Sequence, residues 1–490
     1  MNHNPTIREM LVEVGSSVRD ALRIIDSNAQ GTAFVVTNNQ RLIGLLTDGD
    51  IRRALLSGCS LEDKVDSIMI KDFTSLPIST PVDVIQSKIS SKIRHIPLVD
   101  ENNVPVDYAC YSRAHRIPVM TPLLSGNELA YVTECITTGW ISSQGAFVKK
   151  FEKNFSDFTD CPNALAVSNG TVAIHLALAA LGIGPGHEVI VPDITFAASI
   201  NAVIYCGATP VLVDVDPETW TISVAEIKKY LTSKTKAILP VHLYGHPCDM
   251  DPIMEIARTN NLFVVEDCAE ALGTRYKGKH VGTFGDAATF SFFGNKTITT
   301  GEGGMVLFRT SSTLELATVL RDHGMSKSKR YWHEHVGFNY RLTNLQAAIG
   351  VAQLERLNEF IDAKRNIASV YNLGLSKFEG VTLPPEKDWA FNGYWLYTFL
   401  VDERFGVSRD ELIDKMMKNG VETRPMFFPL HDMPPYQKYI LTNQHFPVSE
   451  KLSKQGISLP SSVNIEKREQ EEVLQAVSAI YTTRKLNVSI

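Results

Sequence analysis

The sequence predicts an α/β protein of several domains, in which a small repeated unit precedes a large, mainly parallel β-sheet. The 490 residues are too many for one ordinary core and correspond to roughly two to four domains. A helix-strand-turn-strand pattern occurs twice, over 17–56 and 82–111. After it, short apolar strands alternate with helical stretches, which is typical of a sheet covered on both faces. We expect three domains, at 1–116, 117–361 and 362–490.

Composition and charge exclude several classes of protein. Hydrophobic residues make up 44% and charged residues 21% of the chain, as in globular proteins. The net charge of −6 and the absence of a basic stripe argue against a nucleic-acid partner. No leader pattern and no bilayer-spanning apolar run are present, so we expect a cytoplasmic protein without a membrane partner. The seven cysteines form no CxxC pair, which argues against disulfides or a zinc site, and we expect no metal.

The two copies of the repeat are related by a fixed offset. Each copy has a helix, over 17–29 or 82–93, followed by two strands joined at an Asn-containing turn. Aligning Phe34 with Ile96 predicts an offset of 96 − 34 = 62 positions.

The repeat resembles tandem CBS modules, on the stretch Gly-Leu-Leu-Thr-Asp-Gly-Asp at 44–50. A threonine hydroxyl beside a helix N-terminus suits phosphate, and a carboxylate suits ribose hydroxyls. The resemblance implies an adenine nucleotide held by Thr47 and Asp50. The second copy, over 106–113, lacks the glycine and the final acid, so at most one good site is expected. A degenerate module kept for dimer contacts or domain spacing is the alternative.

In the large domain, apolar strands are predicted at 164–167, 188–191, 210–215, 237–242, 262–266, 288–293 and 305–308. Ligands bind at the carboxyl ends of parallel strands. Lys296 follows such a strand in the sequence Gly294-Asn295-Lys296. Loss of hydration in a cleft would disfavour its ammonium and free the amine as a nucleophile. A solvated surface lysine is the alternative.

Further polar motifs follow other strands. Gly170 and Thr171 open a helix and could cradle a phosphate, with Ser291 donating a hydroxyl. Asp267 could pair with a protonated ring nitrogen, and Phe196 could stack on a planar cofactor. Singly, these residues are more often helix caps, ion-pair partners or core side chains. Together with Lys296 they are the parts that pyridoxal 5′-phosphate requires.

On these residues, the chain from about Ile117 to its end resembles the DegT/DnrJ/EryC1/StrS sugar-nucleotide aminotransferases, of PLP-dependent transferase fold type I. The resemblance implies that Lys296 holds the cofactor as a Schiff base and that Asp267 partners its ring nitrogen. Gly170, Thr171 and Ser291 would bind its phosphate, and Phe196 would stack on its ring. Cofactor-site residues implied by family position alone are Glu270 and Asn339. Asn339 would reach the cofactor of a second subunit, which implies a homodimer or a higher homo-oligomer.

The resemblance also implies the reaction and the substrate site. Substrate contacts are expected from Trp140 and Ser142, and from Arg424 and His431 in the aromatic stretch 421–431. An ion-paired arginine and a structural histidine are the alternatives there. The nearest branch aminates C4 of GDP-linked 4-keto-6-deoxy sugars with glutamate as donor. Other hypotheses are a UDP-linked substrate, a PLP-dependent sugar dehydratase, whose relatives replace the lysine with histidine, and a nucleotide-sensing regulatory protein.

Overall fold

The structure is a computed structural model that describes residues 6–28, 30–89, 93–110 and 117–487. The chain divides into two compact units, Met1–Arg116 and Ile117–Ile490, which are described separately. Residues 90–92 of the second predicted helix, and 111–116 at the end of the second repeat, lie outside the described residues. Within the described part of the chain, no helix combines the length and the apolar character needed to cross a bilayer.

The N-terminal unit contains two three-stranded sheets of the same design. In the first, β1 (Leu11–Glu13) runs parallel to β2 (Thr32–Val36), which forms an antiparallel hairpin with β3 (Leu42–Thr47). In the second, the equivalent strands are β4 (Leu76–Pro77), β5 (His95–Val99) and β6 (Pro105–Cys110). The helices of this unit are α1 (Val18–Asn28), α2 (Asp48–Leu56) and α3 (Val82–Lys88).

The offset between the repeats is 63 residues, so the predicted value of 62 is wrong. Strands β2 and β5 begin at Thr32 and His95 (95 − 32 = 63), and both hairpins shift register at the equivalent step. Phe34 therefore corresponds to Pro97 and not to Ile96. Every residue of β2 is buried, so the strand lacks the alternation by which register is usually recognised.

The large unit is built on a seven-stranded sheet in the order β7-β15-β14-β11-β10-β8-β9. Strand β15 runs antiparallel to both of its neighbours and the other pairs are parallel, which confirms the mainly parallel sheet. The strands are β7 (Ala164–Val167), β8 (Glu188–Pro192), β9 (Thr209–Val213), β10 (Thr235–Ile238), β11 (Phe263–Asp267), β14 (Ala287–Ser291) and β15 (Gly304–Phe308). A small antiparallel sheet contains β12 (Arg275–Tyr276), β13 (Lys279–His280) and β17 (Ala390–Phe391).

Apolar cores lie on both faces of the large sheet. The neighbouring residues Val264 and Val265 of β11 belong to different buried clusters, because successive side chains of a strand point to opposite faces. The helices are α4 (Glu128–Thr138), α5 (Ala146–Thr159), α6 (Gly170–Ala180), α7 (Ala198–Tyr205), α8 (Val224–Lys229), α9 (Met250–Asn260), α10 (Ser311–Arg321) and α11 (Asn344–Glu355).

The C-terminal part contains a four-stranded antiparallel sheet in the order β16-β18-β20-β19. Its strands are β16 (Val381–Thr382), β18 (Tyr397–Val401), β19 (Arg424–Pro425) and β20 (Gly456–Leu459). The helix predicted over 362–375 begins five residues earlier, as α12 (Leu357–Leu375). The later helices are α13 (Arg409–Lys418), α14 (Pro447–Gln455) and α15 (Lys467–Asn487).

Candidate active site

A cavity of about 670 Å³ lies at the carboxyl ends of the parallel strands of the large sheet. Residues at the ends of β8, β10, β11 and β14, or just after them, line this cavity together with residues of the C-terminal sheet. Eight of the residues predicted from the sequence line this cavity: Gly170, Thr171, Phe196, Asp267, Glu270, Ser291, Lys296 and Arg424.

Lys296 lies in the turn after β14 and points into the cavity. Its side chain is 13% exposed, and Nζ lies 3.8 Å from Glu270 Oε1 and 3.8 Å from the centroid of the Trp395 ring. Burial lowers the pKa of Lys296, while the carboxylates of Glu270 and Asp267 act in the opposite direction. The hypothesis of a solvated surface lysine is therefore wrong. A lysine with a lowered pKa has more of the neutral amine that a nucleophile requires.

Asp267 is the last residue of β11 and is buried at the base of the cavity. Ser199 Oγ donates to its Oδ2 at 2.8 Å, and the backbone N–H of Ala269 donates to its Oδ1 at 3.1 Å. Burial raises the pKa of Asp267, and these hydrogen bonds oppose the rise. The carboxylate is thus held in one orientation and can accept a further donor from the cavity.

The start of α6 and the end of β14 form a cradle for an anion. Asn169 caps the helix by accepting from the N–H of Val172 at 3.0 Å. The N–H groups of Gly170 and Thr171, in the first turn, have no acceptor within the helix. A Cβ on Gly170 would lie 2.8 Å from Ser291 Cβ, so only glycine lets the hydroxyl of Ser291 come this close. A phosphate suits these donors and the positive end of the helix dipole.

Several aromatic rings also line the cavity. The ring of Tyr244 stacks on the rings of Trp395 and Phe427, with centroid separations of 5.8 Å and 5.4 Å. The ring centroids of Phe196 and Phe427 are 6.1 Å apart. Phe196 is 61% exposed, so it is a cavity-facing ring and not a core residue. The side-chain oxygen of Asn295 is buried without a hydrogen-bond partner beside Lys296. An amine, a buried acid, an anion cradle and aromatic faces in one cavity fit pyridoxal phosphate.

Four predicted residues do not line the cavity of the single chain. Trp140 is 58% exposed, and Ser142 and Asn339 are also exposed. The ring of His431 packs on Phe446 at 4.5 Å, away from the cavity wall.

His431 and Arg424 differ in their surroundings. His431 Nδ1 lies 2.7 Å from Oδ2 of the buried Asp193, and its backbone N–H donates to Oδ1 of the same carboxylate. This geometry fits the alternative of a structural histidine. Arg424 lines the cavity and lies 3.6 Å from Glu422 Oε1, so it faces both the cavity and an acidic partner.

The sequence did not predict several residues that complete the site. Ser199 lies in the first turn of α7 and holds Asp267. Its position three residues after Phe196 was the only available signal. Asn295, Tyr244 and Trp395 line the cavity without any local pattern that marks them.

A buried group behind Asp267 has the residue types of a metal site. Donor atoms of His242, Glu266 and Cys268 lie within 4.8 Å of one another. However, Glu266 accepts three backbone N–H groups from the loop 282–285 and faces His242 Nε2 at 3.2 Å. His242 Nδ1 accepts from the N–H of Cys248 at 2.9 Å. These atoms are already engaged, so the group is a hydrogen-bonded support for the strand end.

The N-terminal unit contains a second cavity of about 670 Å³, lined by both repeats. Thr47 and Asp50 line it, and Thr47 Oγ1 donates to Asp50 Oδ2 at 2.5 Å within the cap of α2. Arg53 pairs with Asp50. His95 Nδ1 lies 2.9 Å from Thr32 Oγ1 across the repeats, and burial, with a smaller contribution from Arg94, lowers the pKa of His95 to about 4.

Comparisons with known proteins match both parts of the chain. Residues 122–478 match the DegT/DnrJ/EryC1/StrS aminotransferase family, and 1–57 and 65–107 match the CBS domain. GDP-perosamine synthase from Escherichia coli O157:H7 is 48% identical over 75% of this chain and 99% of its own length. The GDP-perosamine synthase from Caulobacter vibrioides is 47% identical over 74% of this chain and 98% of its own length. The N-terminal unit is thus an addition relative to these enzymes.

A solved structure agrees with this match. The PLP-form of the putative sugar aminotransferase Spr1654 from Streptococcus pneumoniae has a TM-score of 0.70 and is 26% identical. The alignment covers 75% of this chain and 99% of that one. The chain therefore belongs to the DegT/DnrJ/EryC1/StrS aminotransferase family and is a pyridoxal-phosphate-dependent aminotransferase.

Proposed function

We propose that this aminotransferase converts GDP-4-keto-6-deoxymannose to the 4-amino sugar GDP-perosamine, with glutamate as the amino donor. Three relatives named GDP-perosamine synthase, 46% to 48% identical to this chain along nearly their whole length, support the substrate. The observation that carries the chemistry is the placement of Lys296 in one cavity with Asp267 and the anion cradle.

The residues of the cavity have distinct roles in this proposal. The N–H groups of Gly170 and Thr171 and the hydroxyl of Ser291 would bind the cofactor phosphate. Asp267 would keep the ring nitrogen protonated, and Lys296 Nζ would hold the cofactor aldehyde. When bound, pyridoxal phosphate draws the electrons of the reacting carbon into its ring.

Lys296 also moves protons. Its free amine removes the proton from the α-carbon of glutamate and delivers a proton to C4 of the sugar. Glu270 supports this step, because burial raises the pKa of its carboxyl to about 7, against the opposing effect of Lys296. Glu270 Oε2 accepts from the N–H of Tyr244 at 2.9 Å, which keeps Oε1 directed toward Nζ. A carboxyl with this pKa can exchange a proton with the lysine at neutral pH.

A direct assay tests the substrate. Purified protein is incubated with glutamate and either GDP-4-keto-6-deoxymannose or a UDP-linked 4-keto-6-deoxy sugar, and the product is analysed by mass spectrometry and NMR. We expect a 4-amino sugar from the GDP-linked compound. If only the UDP-linked sugar is aminated, the substrate is a UDP-linked sugar and the proposed GDP-linked substrate is wrong. A deoxygenated product without nitrogen would favour the dehydratase.

The active form in this proposal is a homodimer with shared sites. Asn339, Trp140 and Ser142 would complete the site of the second copy, which agrees with their exposure outside the cavity of their own chain. Mixing inactive Lys296→Ala and Asn339→Ala chains tests this directly. Random hybrids carry one intact site, so activity should return to about one quarter of the wild-type value. No recovery after proven subunit exchange would contradict shared sites.

For the N-terminal unit, we propose an adenine nucleotide in the cavity beside Thr47 and Asp50. Arg53 and Arg94, which line this cavity, supply positive charge for its phosphates. Calorimetric titration of the full chain with AMP and ATP should show saturable binding that Thr47→Ala weakens. Absence of binding would favour a degenerate module. Tight nucleotide binding in a protein without cofactor absorbance would favour the nucleotide-sensing regulatory protein.

A further inference from the structure

The indole of Trp395 contacts both the amine of Lys296 and the backbone that carries it. Lys296 Nζ lies 3.8 Å from the ring centroid, and Trp395 Nε1 donates to the carbonyl of Asn295 at 2.7 Å. Trp395 itself is buried. One side chain therefore acts on the side-chain end and on the main-chain end of the same lysine.

The geometry favours the ammonium form of Lys296. At 3.8 Å from the centroid, Nζ lies over the face of the ring, which carries the negative part of its quadrupole and attracts a cation. Among the aromatic side chains, the indole of tryptophan gives the strongest attraction of this kind. Burial disfavours the charged form of the lysine. Trp395 and Glu270 therefore oppose the effect of burial on the lysine, and the balance of these effects decides how easily Nζ takes up and releases a proton.

Trp395 is in turn held from the C-terminal part of the chain. Lys364 of α12 is 1% exposed, and its Nζ donates to the carbonyls of Trp395 at 2.8 Å and Ser461 at 2.5 Å. The indole also lies nearly parallel to Tyr244, with an angle of 13° between the rings. These contacts leave the indole little freedom to move away from Lys296.

We propose that Trp395 is a positioning residue for Lys296: its ring face holds the ammonium of the unmodified side chain, and its N–H fixes the peptide before this lysine. This inference rests on the proposed function in one respect, namely that Lys296 is the reactive lysine. The position of the amine against the indole is a property of the chain itself. The two can therefore be tested separately.

The test measures the pKa of Lys296 in full-length protein freed of cofactor. Acylation of the Lys296 peptide is followed by mass spectrometry as a function of pH. Trp395→Leu should lower this pKa by about one unit, the shift that corresponds to a cation–π contact in a desolvated site. Trp395→Phe retains a ring face and should shift it less. Trp389→Leu is the matched control, because Trp389 packs on Tyr276, and should leave this pKa unchanged.

The indole N–H is tested in the cofactor-loaded enzyme. Trp395→Phe loses the hydrogen bond to Asn295, and we expect kcat to fall up to about tenfold with little change in KM. If Trp395→Leu does not fold, Trp395→Met takes its place in the pKa measurement.

Two results would overturn the proposal. One is an unchanged Lys296 pKa in a folded Trp395→Leu or Trp395→Met protein. The other is an equal shift in the Trp395→Leu, Trp395→Phe and Trp389→Leu proteins, which would indicate general loosening of the chain. A protein that shows the expected shifts but aminates no sugar would contradict the proposed function and leave the positioning role standing.

Discussion

Replacing Gly170 by alanine should force apart the two elements that form the anion cradle. The new Cβ would lie 2.8 Å from Ser291 Cβ and 3.1 Å from its Oγ. Carbon atoms in contact prefer separations of about 3.5–4.0 Å, so the start of α6 and the end of β14 must separate by about 1 Å. A change of rotamer cannot relieve the clash, because a Cβ does not move when χ1 rotates.

The expected cost follows from the hydrogen bonds of the cradle. A displacement of about 1 Å takes a donor beyond the range of about 2.7–3.2 Å in which an N–H···O bond is effective. A hydrogen bond to a charged group contributes about 1.5–3 kcal/mol. Loss of one such bond should weaken pyridoxal phosphate binding by about ten- to a hundredfold.

A double-mutant cycle separates this cause from general damage. Ser291→Gly removes the Cβ and the hydroxyl, and the nearest remaining atom of residue 291 is its Cα, 3.5 Å from the added methyl group. Gly170→Ala should therefore weaken cofactor binding much less in the Ser291→Gly background than in the wild type. The assay is absorbance titration of cofactor-free protein with pyridoxal phosphate. Equal losses in the two backgrounds would refute the reasoning.

Four further predictions concern single side chains. Lys296→Ala should abolish turnover without lowering the melting temperature, whereas Lys277→Ala, which removes an exposed side chain, should change neither. Asp267→Asn should lower kcat by about a hundredfold at unchanged fold, because an amide cannot hold a proton on the ring nitrogen. Ser199→Ala removes one hydrogen bond to that carboxylate and should lower kcat by at most about tenfold in steady-state assays. His95 has a pKa of about 4 in the folded chain against 6.5 when unfolded, so its contribution to stability is present above pH 6.5 and is lost as pH falls toward 4. In urea unfolding, the free energy of unfolding of the wild type should therefore fall between pH 7 and pH 4. In His95→Asn this fall should be smaller, by at most about 3 kcal/mol.

The residues at the strand ends could be predicted because a local rule places them. Asp267 and Ser291 end short apolar strands, Lys296 follows the second of these strands, and Gly170 opens the helix after another. The carboxyl ends of parallel strands meet at one edge of a sheet, so residues distant in sequence could be assigned to one cavity.

The rest of the site depends on contacts that leave no local signal. Trp395 bonds to a residue 100 positions earlier, and its carbonyl is held by Lys364 on a helix that sequence periodicity placed only approximately. For the same reason the buried carboxylate of Asp193, 238 positions from His431, could not be foreseen. The repeat offset was missed because both faces of β2 are buried.

The attachment point of the cofactor tests the central claim most directly. Purified protein is treated with borohydride, which fixes pyridoxal phosphate to its lysine, then digested and analysed by mass spectrometry. We predict a single phosphopyridoxyl group, on the peptide that contains Lys296. A phosphopyridoxyl group on another lysine, or none in protein that has been saturated with pyridoxal phosphate, would contradict the assignment of this cavity as the active site.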